Sequence, residues 1–388
     1  MINIFKVKAI LDFSKSDYVV KNQVLVSDEK IIKICSLEKA LKEYPNAKVL
    51  DFSDYILSPV FNNIHSHLEF CMSKLSYGDF AKWLESIIKN RENIDKEKLN
   101  ETINQKITEM MKSGVGYLGE ISSFGAELEI LSKSPIKSIV FHEILGANKD
   151  VVNKNIEFFE NRFYRFSNLN NAISLHSPYS ICNEIYDYAI NFAKKNDLYI
   201  STHYAESKYE KPYLDGKNNA LAKYLKRFNP DKLSRDFLVG FNDLKAIFTH
   251  CNYAKNNEFK PHHIITSCPR SNRYLGSKKL NLKGINNLSL GTDGLSSNDS
   301  LNFFDELRAA LMLYNEYDIN DISYIIYKSA CYNTSHIFLD DLMPLSINAS
   351  ADFMLLDSFG YSDDELLTQI ILRTKEIKKM FLNGKEII

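Results

Sequence analysis

Hydrophobic and polar positions change their spacing several times along this chain, and each change marks an element. From Ile2 to Ile10 apolar and polar residues alternate with the period of a half-buried strand. Gln23 to Ser27, Ile31 to Ile34 and Lys48 to Phe52 repeat that character in short runs. Near the other end, Asp352 to Leu356 and Lys379 to Ile387 do the same, and Asn383-Gly384 is a hairpin signal. Two β-rich ends around one long middle predict a small β-sandwich domain built from both termini, residues 1–54 and 345–388.

Across residues 55–344 short apolar runs alternate with segments of helical period. The runs predict strands at Tyr55 to Val60, Val115 to Leu118, Ile136 to Phe141 and Ala172 to Leu175. Four more fall at Leu198 to Thr202, Lys245 to Thr249, His263 to Thr266 and Asn287 to Leu290. Helices are expected at Lys98 to Lys112, stopped by Ser113-Gly114, at Val151 to Arg165 and at Ile181 to Lys195, with Leu301 to Tyr314 closing the series. Such an alternation implies a parallel sheet. Eight units favour an α/β chain whose middle is a closed (β/α)8 barrel of the TIM type.

Composition narrows the function classes. The formal net charge is −1 and like charges are not blocked together, so nothing marks a nucleic-acid surface. No apolar run is long enough to span a bilayer, and Met1 to Lys8 lacks the core of a signal peptide. Cys35, Cys71, Cys182, Cys251, Cys268 and Cys331 are scattered without Cys-x-x-Cys pairs, which suggests neither a disulfide framework nor a thiolate metal site. A reduced, cytoplasmic setting is the simplest expectation.

The polar residues that follow the strands carry the chemistry. His65/His67, Glu143, His176, His203, His250 and Asp293 all come at or just beyond predicted strand ends, and in a barrel those ends converge on one face. In an extended segment residues two apart share a face, so His65 and His67 can aim two imidazoles at one ion. With His203 and Asp293 they make an N/O ligand set suited to one divalent ion, Zn2+ or Fe2+. Glu206, three residues after His203, is placed for general acid-base work, although a helix-start glutamate favoured by the dipole would look the same. His250 reads either as an imidazole that steadies the attacking oxygen or as a fifth ligand. Asp299 is expected to cap the helix from Leu301. His262 and His263 precede the seventh strand and read as structural, His336 as packing, and Glu143 is favoured over His142 as the pocket residue of that pair. Trp83, in Phe80-Ala-Lys-Trp83-Leu, is core by default but follows the His-x-His loop and can shelter a substrate ring.

Pro59-Val-Phe-Asn-Asn-Ile-His65-Ser-His67-Leu-Glu69, Thr202-His203-Tyr-Ala-Glu206, Ser267-Cys-Pro-Arg-Ser-Asn272 and Gly291-Thr-Asp293-Gly-Leu-Ser-Ser-Asn298 together resemble the amidohydrolase superfamily. The branch they resemble holds chlorohydrolases, guanine deaminase and the adenosine-type deaminases. The resemblance spans essentially the whole chain and implies a single-metal hydrolytic deaminase acting on a small purine nucleoside-type substrate. It carries His65, His67, His203 and Asp293 over as ligands, Glu206 as the proton shuttle, His250 and Asp293 as further catalytic groups, and His176 as a substrate contact. Glu143, Trp83 and Asn272 are read as further substrate contacts. No lysine stands at the third or fourth strand end, where two-metal relatives carry a carbamylated one, so one ion is expected. Asp293-Gly294 departs from the Asp-Ser common in relatives. The compact length, His67-Leu-Glu-Phe70 and the Trp83 segment are similar to members that act on 6-amino-6-deoxyfutalosine on the route to menaquinone. The same chemistry on S-adenosylhomocysteine, methylthioadenosine or adenosine stays open, as does amide or chloride hydrolysis. Barrels of this class often pair, so a homodimer is an expectation the sequence leaves open.

Overall fold

The computed structural model describes residues 1–90, 95–166, 169–360 and 362–388. The chain opens with β1 (Asn3–Leu11), β2 (Val19–Lys21), β3 (Val24–Ser27), β4 (Ile31–Cys35), α1 (Leu37–Glu43) and the long β5 (Lys48–Pro59). Then come β6 (Phe61–Ser66), α2 (Phe80–Asn90), α3 (Lys96–Lys112), β7 (Val115–Ser122), α4 (Leu128–Leu131), β8 (Lys137–Ile144), α5 (Val152–Arg165), β9 (Asn170–Leu175) and α6 (Asn183–Lys195). The second half of the middle holds β10 (Tyr199–Tyr204), α7 (Glu210–Leu214), α8 (Ala220–Leu225), β11 (Lys245–His250), β12 (Ile264–Ser267), α9 (Pro269–Tyr274), β13 (Leu288–Leu290), α10 (Phe303–Leu313) and α11 (Ile319–Cys331). The chain finishes with β14 (Phe353–Asp357), α12 (Asp363–Arg373), β15 (Lys379–Leu382) and β16 (Lys385–Glu386).

Strands β6 to β13 pair in parallel and close on themselves, with Leu290 of β13 opposite Asn63 of β6. Parallel strands covered on both faces read as continuous buried runs, and every residue of β6, β7 and β12 is buried. Ile64, Ile121, Ile139, Phe141, Ala172, Ile247 and Ile264 fill one cluster with Ile337, a packed core rather than a pore. The helices bury their apolar stripes around it. In α3, for example, Asp95 caps the start by accepting from Glu97 and Lys98 N–H, and Leu99, Ile103, Ile107, Met110 and Met111 make the inward face.

The termini build one mixed sheet in the order β16-β15-β14-β5-β1-β3-β4, with β2 on β1. This sheet doubles over. Phe5 pairs with Leu50 and Phe353 with Pro59, nine residues further along the same strand. A straight strand would separate those partners by roughly 30 Å, yet the Phe5 and Phe353 rings lie 4.9 Å apart. A bulge makes the bend possible, since Val7 and Ala9 oppose Phe52 and Ile56. The sandwich is therefore one continuous sheet folded across Phe5, Phe353 and Phe381. Asn383 and Gly384, at φ 49° and 69°, form the expected tight turn between β15 and β16.

The expected first barrel strand needs correcting. Tyr55 to Pro59 belong to β5 of the terminal sheet, paired with β14, and the barrel begins one residue later at Phe61. Only Val60 separates the two strands, so one largely apolar stretch, Tyr55 to Phe61 with only Ser58 polar, serves both sheets and its spacing marks no boundary. Helices α11 and α12 continue the series beyond the expected last helix. Asp299 does not cap α10; Asn302 does, accepting from Phe304 N–H, while Asp299 pairs with Arg270. No helix among the described residues is long and apolar enough to cross a membrane, and the six cysteines are buried and unpaired.

Candidate active site

The predicted residues meet at the carboxyl rim of the barrel. His65 lies within β6, His203 within β10, Glu143 within β8 and His250 at the end of β11, so these strands run on through residues expected just beyond them. The ladder continues there, with His203 opposite Thr249 and Tyr204 opposite His250, although the apolar pattern has already stopped.

Four ligand atoms converge. His67 Nε2 lies 3.2 Å from His65 Nε2 and 3.3 Å from His203 Nε2. Asp293 Oδ1 is 3.6 Å from His67 Nε2 and 3.8 Å from His65 Nε2. Bonds of about 2.0–2.1 Å to a tetrahedral ion place ligand atoms roughly 3.3 Å apart, and these separations fit that figure. Burial, reinforced by neighbouring imidazoles, pushes His65 and His203 well below the usual histidine range, so both rings are neutral with lone pairs to give. The His203 ring is oriented by Nδ1–H donating to the His176 carbonyl at 2.9 Å. Burial pulls the Asp293 carboxyl upward, but His67, His250 and the Ser271 and Ser297 hydroxyls outweigh it and hold it below the usual carboxylate range. Imidazole nitrogens meeting this closely, with a carboxylate beside them, are satisfied together by a cation at their centre. The residues present fit one divalent ion.

Glu206 stands beside this cluster, 3% exposed, with Oε1 3.5 Å from His250 Nε2. Its peptide is clamped from both sides. Glu210 accepts from the Ala205 and Glu206 N–H groups at 2.7 and 3.2 Å, and the Glu206 carbonyl accepts from Asn252 Nδ2 and Ser277 Oγ. Burial, with Asp293 and Glu210 adding, pushes the Glu206 carboxyl well above the usual range. Burial likewise lifts Glu210, to about 7, against the two N–H groups that draw it down. His250 Nδ1 meets Asn272 Oδ1 at 2.8 Å, and the same oxygen accepts from Asn252 Nδ2. His250 therefore carries its proton on Nδ1, and Nε2 faces Glu206 as an acceptor. Asn272, 3% exposed, thus supports His250 from behind through its Oδ1.

Non-glycine residues with positive φ gather at the rim: Ala205 at 49°, His250 at 72°, Cys251 at 52° and Asp293 at 58°. Each costs of order 1–3 kcal/mol and persists only where the surroundings hold it. Gly294 is required by close approach, since a Cβ there would lie 2.9 Å from His67 Cβ and 3.1 Å from its carbonyl oxygen.

Of the other expected pocket residues, Glu143 offers a carboxylate oxygen within 4.8 Å of ring nitrogens of His176 and His203. It accepts from Ser123 Oγ at 2.7 Å. His176 turns Nδ1 to Ser177 and Ser180. Trp83 is half-buried against Phe80 and donates Nε1–H to the Ser296 carbonyl at 2.7 Å, tying α2 to the loop after Asp293. His142 faces Asn171 and His263 the Phe241 carbonyl, both as structural groups. Sequence reasoning gave no role to Glu210, Ser271, Ser297 or Glu306. The Glu206-x-x-x-Glu210 spacing was a usable signal; the serines were visible only as members of motifs.

A model of the amidohydrolase family matches residues 56–387. The chain is 32% identical to an aminodeoxyfutalosine deaminase of a Nitratiruptor species, covering 95% of this chain and 96% of that one. It is 30% identical to an adenosine deaminase of Helicobacter pylori over the same shares. Among solved structures, that of Helicobacter pylori aminofutalosine deaminase in complex with methylthio-coformycin superposes with a TM-score of 0.89 at 28% identity, covering all of both chains.

Proposed function

As the chain belongs to the amidohydrolase family, we propose that it is a hydrolytic deaminase removing the 6-amino group of an adenine-containing nucleoside, with 6-amino-6-deoxyfutalosine as its substrate. The observation that carries the reaction is the convergence of His65, His67, His203 and Asp293 with Glu206 beside them. The near-full-length likeness to aminodeoxyfutalosine and aminofutalosine deaminases supports the substrate, and with it a place on the futalosine route to menaquinone.

His65, His67, His203 and Asp293 would hold one divalent ion, zinc or iron. Such an ion lowers the pKa of a bound water to about 7 and so supplies hydroxide at neutral pH. Glu206 takes the water proton and delivers it to N1 of the adenine ring as C6 becomes tetrahedral. Its raised pKa suits a group that must hold that proton between the two transfers. His250 Nε2, an acceptor by its tautomer, orients the attacking oxygen. Asp293 then relays a proton toward the departing ammonia. Glu143, in β8, and His176, just after β9, contact the substrate, and Trp83 closes one wall. Deamination is separated from amide or chloride hydrolysis by incubating the metal-loaded protein with adenine nucleosides, simple amides and chloro-triazines. Ammonia release with loss of absorbance near the adenine maximum, and no turnover of the other two, is expected; turnover confined to an amide or a chloro-triazine would overturn the reading.

A second substrate reading is adenosine itself, favoured by the 30% identity to an adenosine deaminase.

A further inference from the structure

Glu306, on α10, is fully buried and lies outside the ligand cluster, yet its carboxylate reaches both segments that hold Asp293, the first turn of α9 and the loop after β13. Oε1 accepts from Arg270 Nε at 2.7 Å and from Asn298 Nδ2 at 2.6 Å, and Oε2 accepts from the Arg270 backbone N–H at 3.2 Å. The residue after Arg270 is Ser271, whose hydroxyl donates to Asp293 Oδ2 at 2.7 Å. The residue before Asn298 is Ser297, whose hydroxyl donates to the same oxygen at 2.8 Å. Asn298 Nδ2 also donates to the carbonyl of Thr292, the residue preceding Asp293, at 2.6 Å. Two routes, one through the first turn of α9 after β12 and one through the loop after β13, therefore start from a single carboxylate and end on Asp293.

Asp293 needs such support. Its φ of 58° is one a non-glycine residue keeps only under constraint. With Oδ2 occupied by two hydroxyls, Oδ1 is the oxygen turned toward His65 and His67. Arg270 is itself fixed, with Nη1 on Asp299 and Ser300 Oγ and Nη2 on the Ser300 carbonyl, so the guanidinium fork cannot swing.

We propose that Glu306, acting through Arg270 and Asn298, is the positioning residue that sets Asp293 Oδ1 against His65 and His67, so that metal affinity depends on an ion pair buried outside the ligands. This rests on the reading of His65, His67, His203 and Asp293 as ligands.

A positioning role separates from a merely structural one because stability and metal affinity then respond differently. Replacing a buried ion pair by apolar side chains of similar volume often restores or raises stability, but it cannot restore directed hydrogen bonds to Asn298 and the Arg270 peptide. The test measures apo-protein Tm and the dissociation constant for Zn2+, by competition with a chromophoric chelator, for wild type, Glu306→Gln and Arg270→Met/Glu306→Leu. The expected result is Zn2+ binding weakened about 10- to 100-fold in both variants, the scale of lost outer-shell support, with the double variant's Tm at or near wild type. Should Glu306→Gln fail to fold, the double variant carries the test. Asp352→Asn is the control: it weakens the partly buried pair of Asp352 with Lys137, at the start of β8 and so at the opposite end of the barrel, and is expected to lower Tm while leaving Zn2+ affinity alone. Wild-type Zn2+ affinity in the double variant, or equal weakening in the Asp352 control, would overturn the inference. Failure of wild type itself to bind Zn2+ tightly would instead overturn the ligand assignment.

Discussion

Replacing Glu206 by glutamine removes one function and little else. The side chain is 3% exposed, and its backbone is held by Glu210 on the N–H side and by Asn252 and Ser277 on the carbonyl side. None of those clamps uses the carboxylate, so the amide of Glu206→Gln occupies the same place, 3.5 Å from His250 Nε2 in the parent. The ligand atoms of His65, His67, His203 and Asp293 are untouched. What is lost is the ability to take a proton from water and pass it to the ring, worth about 10²- to 10⁴-fold for a positioned acid-base group. At 1.36 kcal/mol per decade that is roughly 2.7–5.4 kcal/mol of barrier. Because burial disfavours the Glu206 carboxylate, the neutral amide carries no folding penalty, and the metal-free variant is expected to melt at or above the parent temperature at pH 8. Ammonia release gives kcat, elemental analysis gives the metal content and calorimetry gives Tm. Turnover within tenfold of the parent, at full metal occupancy, would refute the assignment; lost metal would show that the carboxylate is a ligand instead.

Two further outcomes follow from the same geometry. Gly294→Ala places a Cβ under 3 Å from His67 Cβ, so the His67 segment must shift; metal affinity is expected to fall ~10-fold or more, and unchanged affinity in a chelator competition would contradict the close approach. Glu127 is fully buried, and burial followed by the Glu69 charge pushes its carboxyl well above the usual range. Its folded pKa thus exceeds the unfolded value of about 4.3, so it does not penalise folding below that pH and penalises it increasingly as pH rises. Glu127→Gln should gain Tm over the parent at pH 8 and little at pH 4, and a gap independent of pH would refute the burial argument.

The barrel and the ligand set were legible for a shared reason. Strands buried on both faces leave unbroken apolar runs, and a strand that carries chemistry ends on a polar residue the run cannot explain, as at His203 and His250. The β5-β6 junction was hidden by that same rule, because Tyr55 to Ile64 is apolar enough to serve one strand or two. The supports of the site were hidden for a different reason. Ser271 and Glu306 act through contacts between separate elements, whereas Glu210 and Ser297 reach only four or five residues back, Glu210 at a spacing that could be read; no period distinguishes a buried glutamate such as Glu306 from one solvated on a helix face. Asn272 shows the converse: its motif marked it as functional, but only the shared oxygen between His250 and Asn252 places it behind the imidazole. Gly294, the residue that departs from the Asp-Ser of relatives, sits where a Cβ would come within 2.9 Å of His67 Cβ.

The central claim is deamination of an adenine ring whose nucleoside bears the futalosine side chain. It is tested most directly by kcat/KM of the metal-loaded protein on 6-amino-6-deoxyfutalosine, methylthioadenosine and adenosine, side by side, followed by ammonia release. The account predicts turnover of all three by the same chemistry with 6-amino-6-deoxyfutalosine preferred. A preference for methylthioadenosine or adenosine would contradict the substrate, and no ammonia from any of them would contradict the reaction.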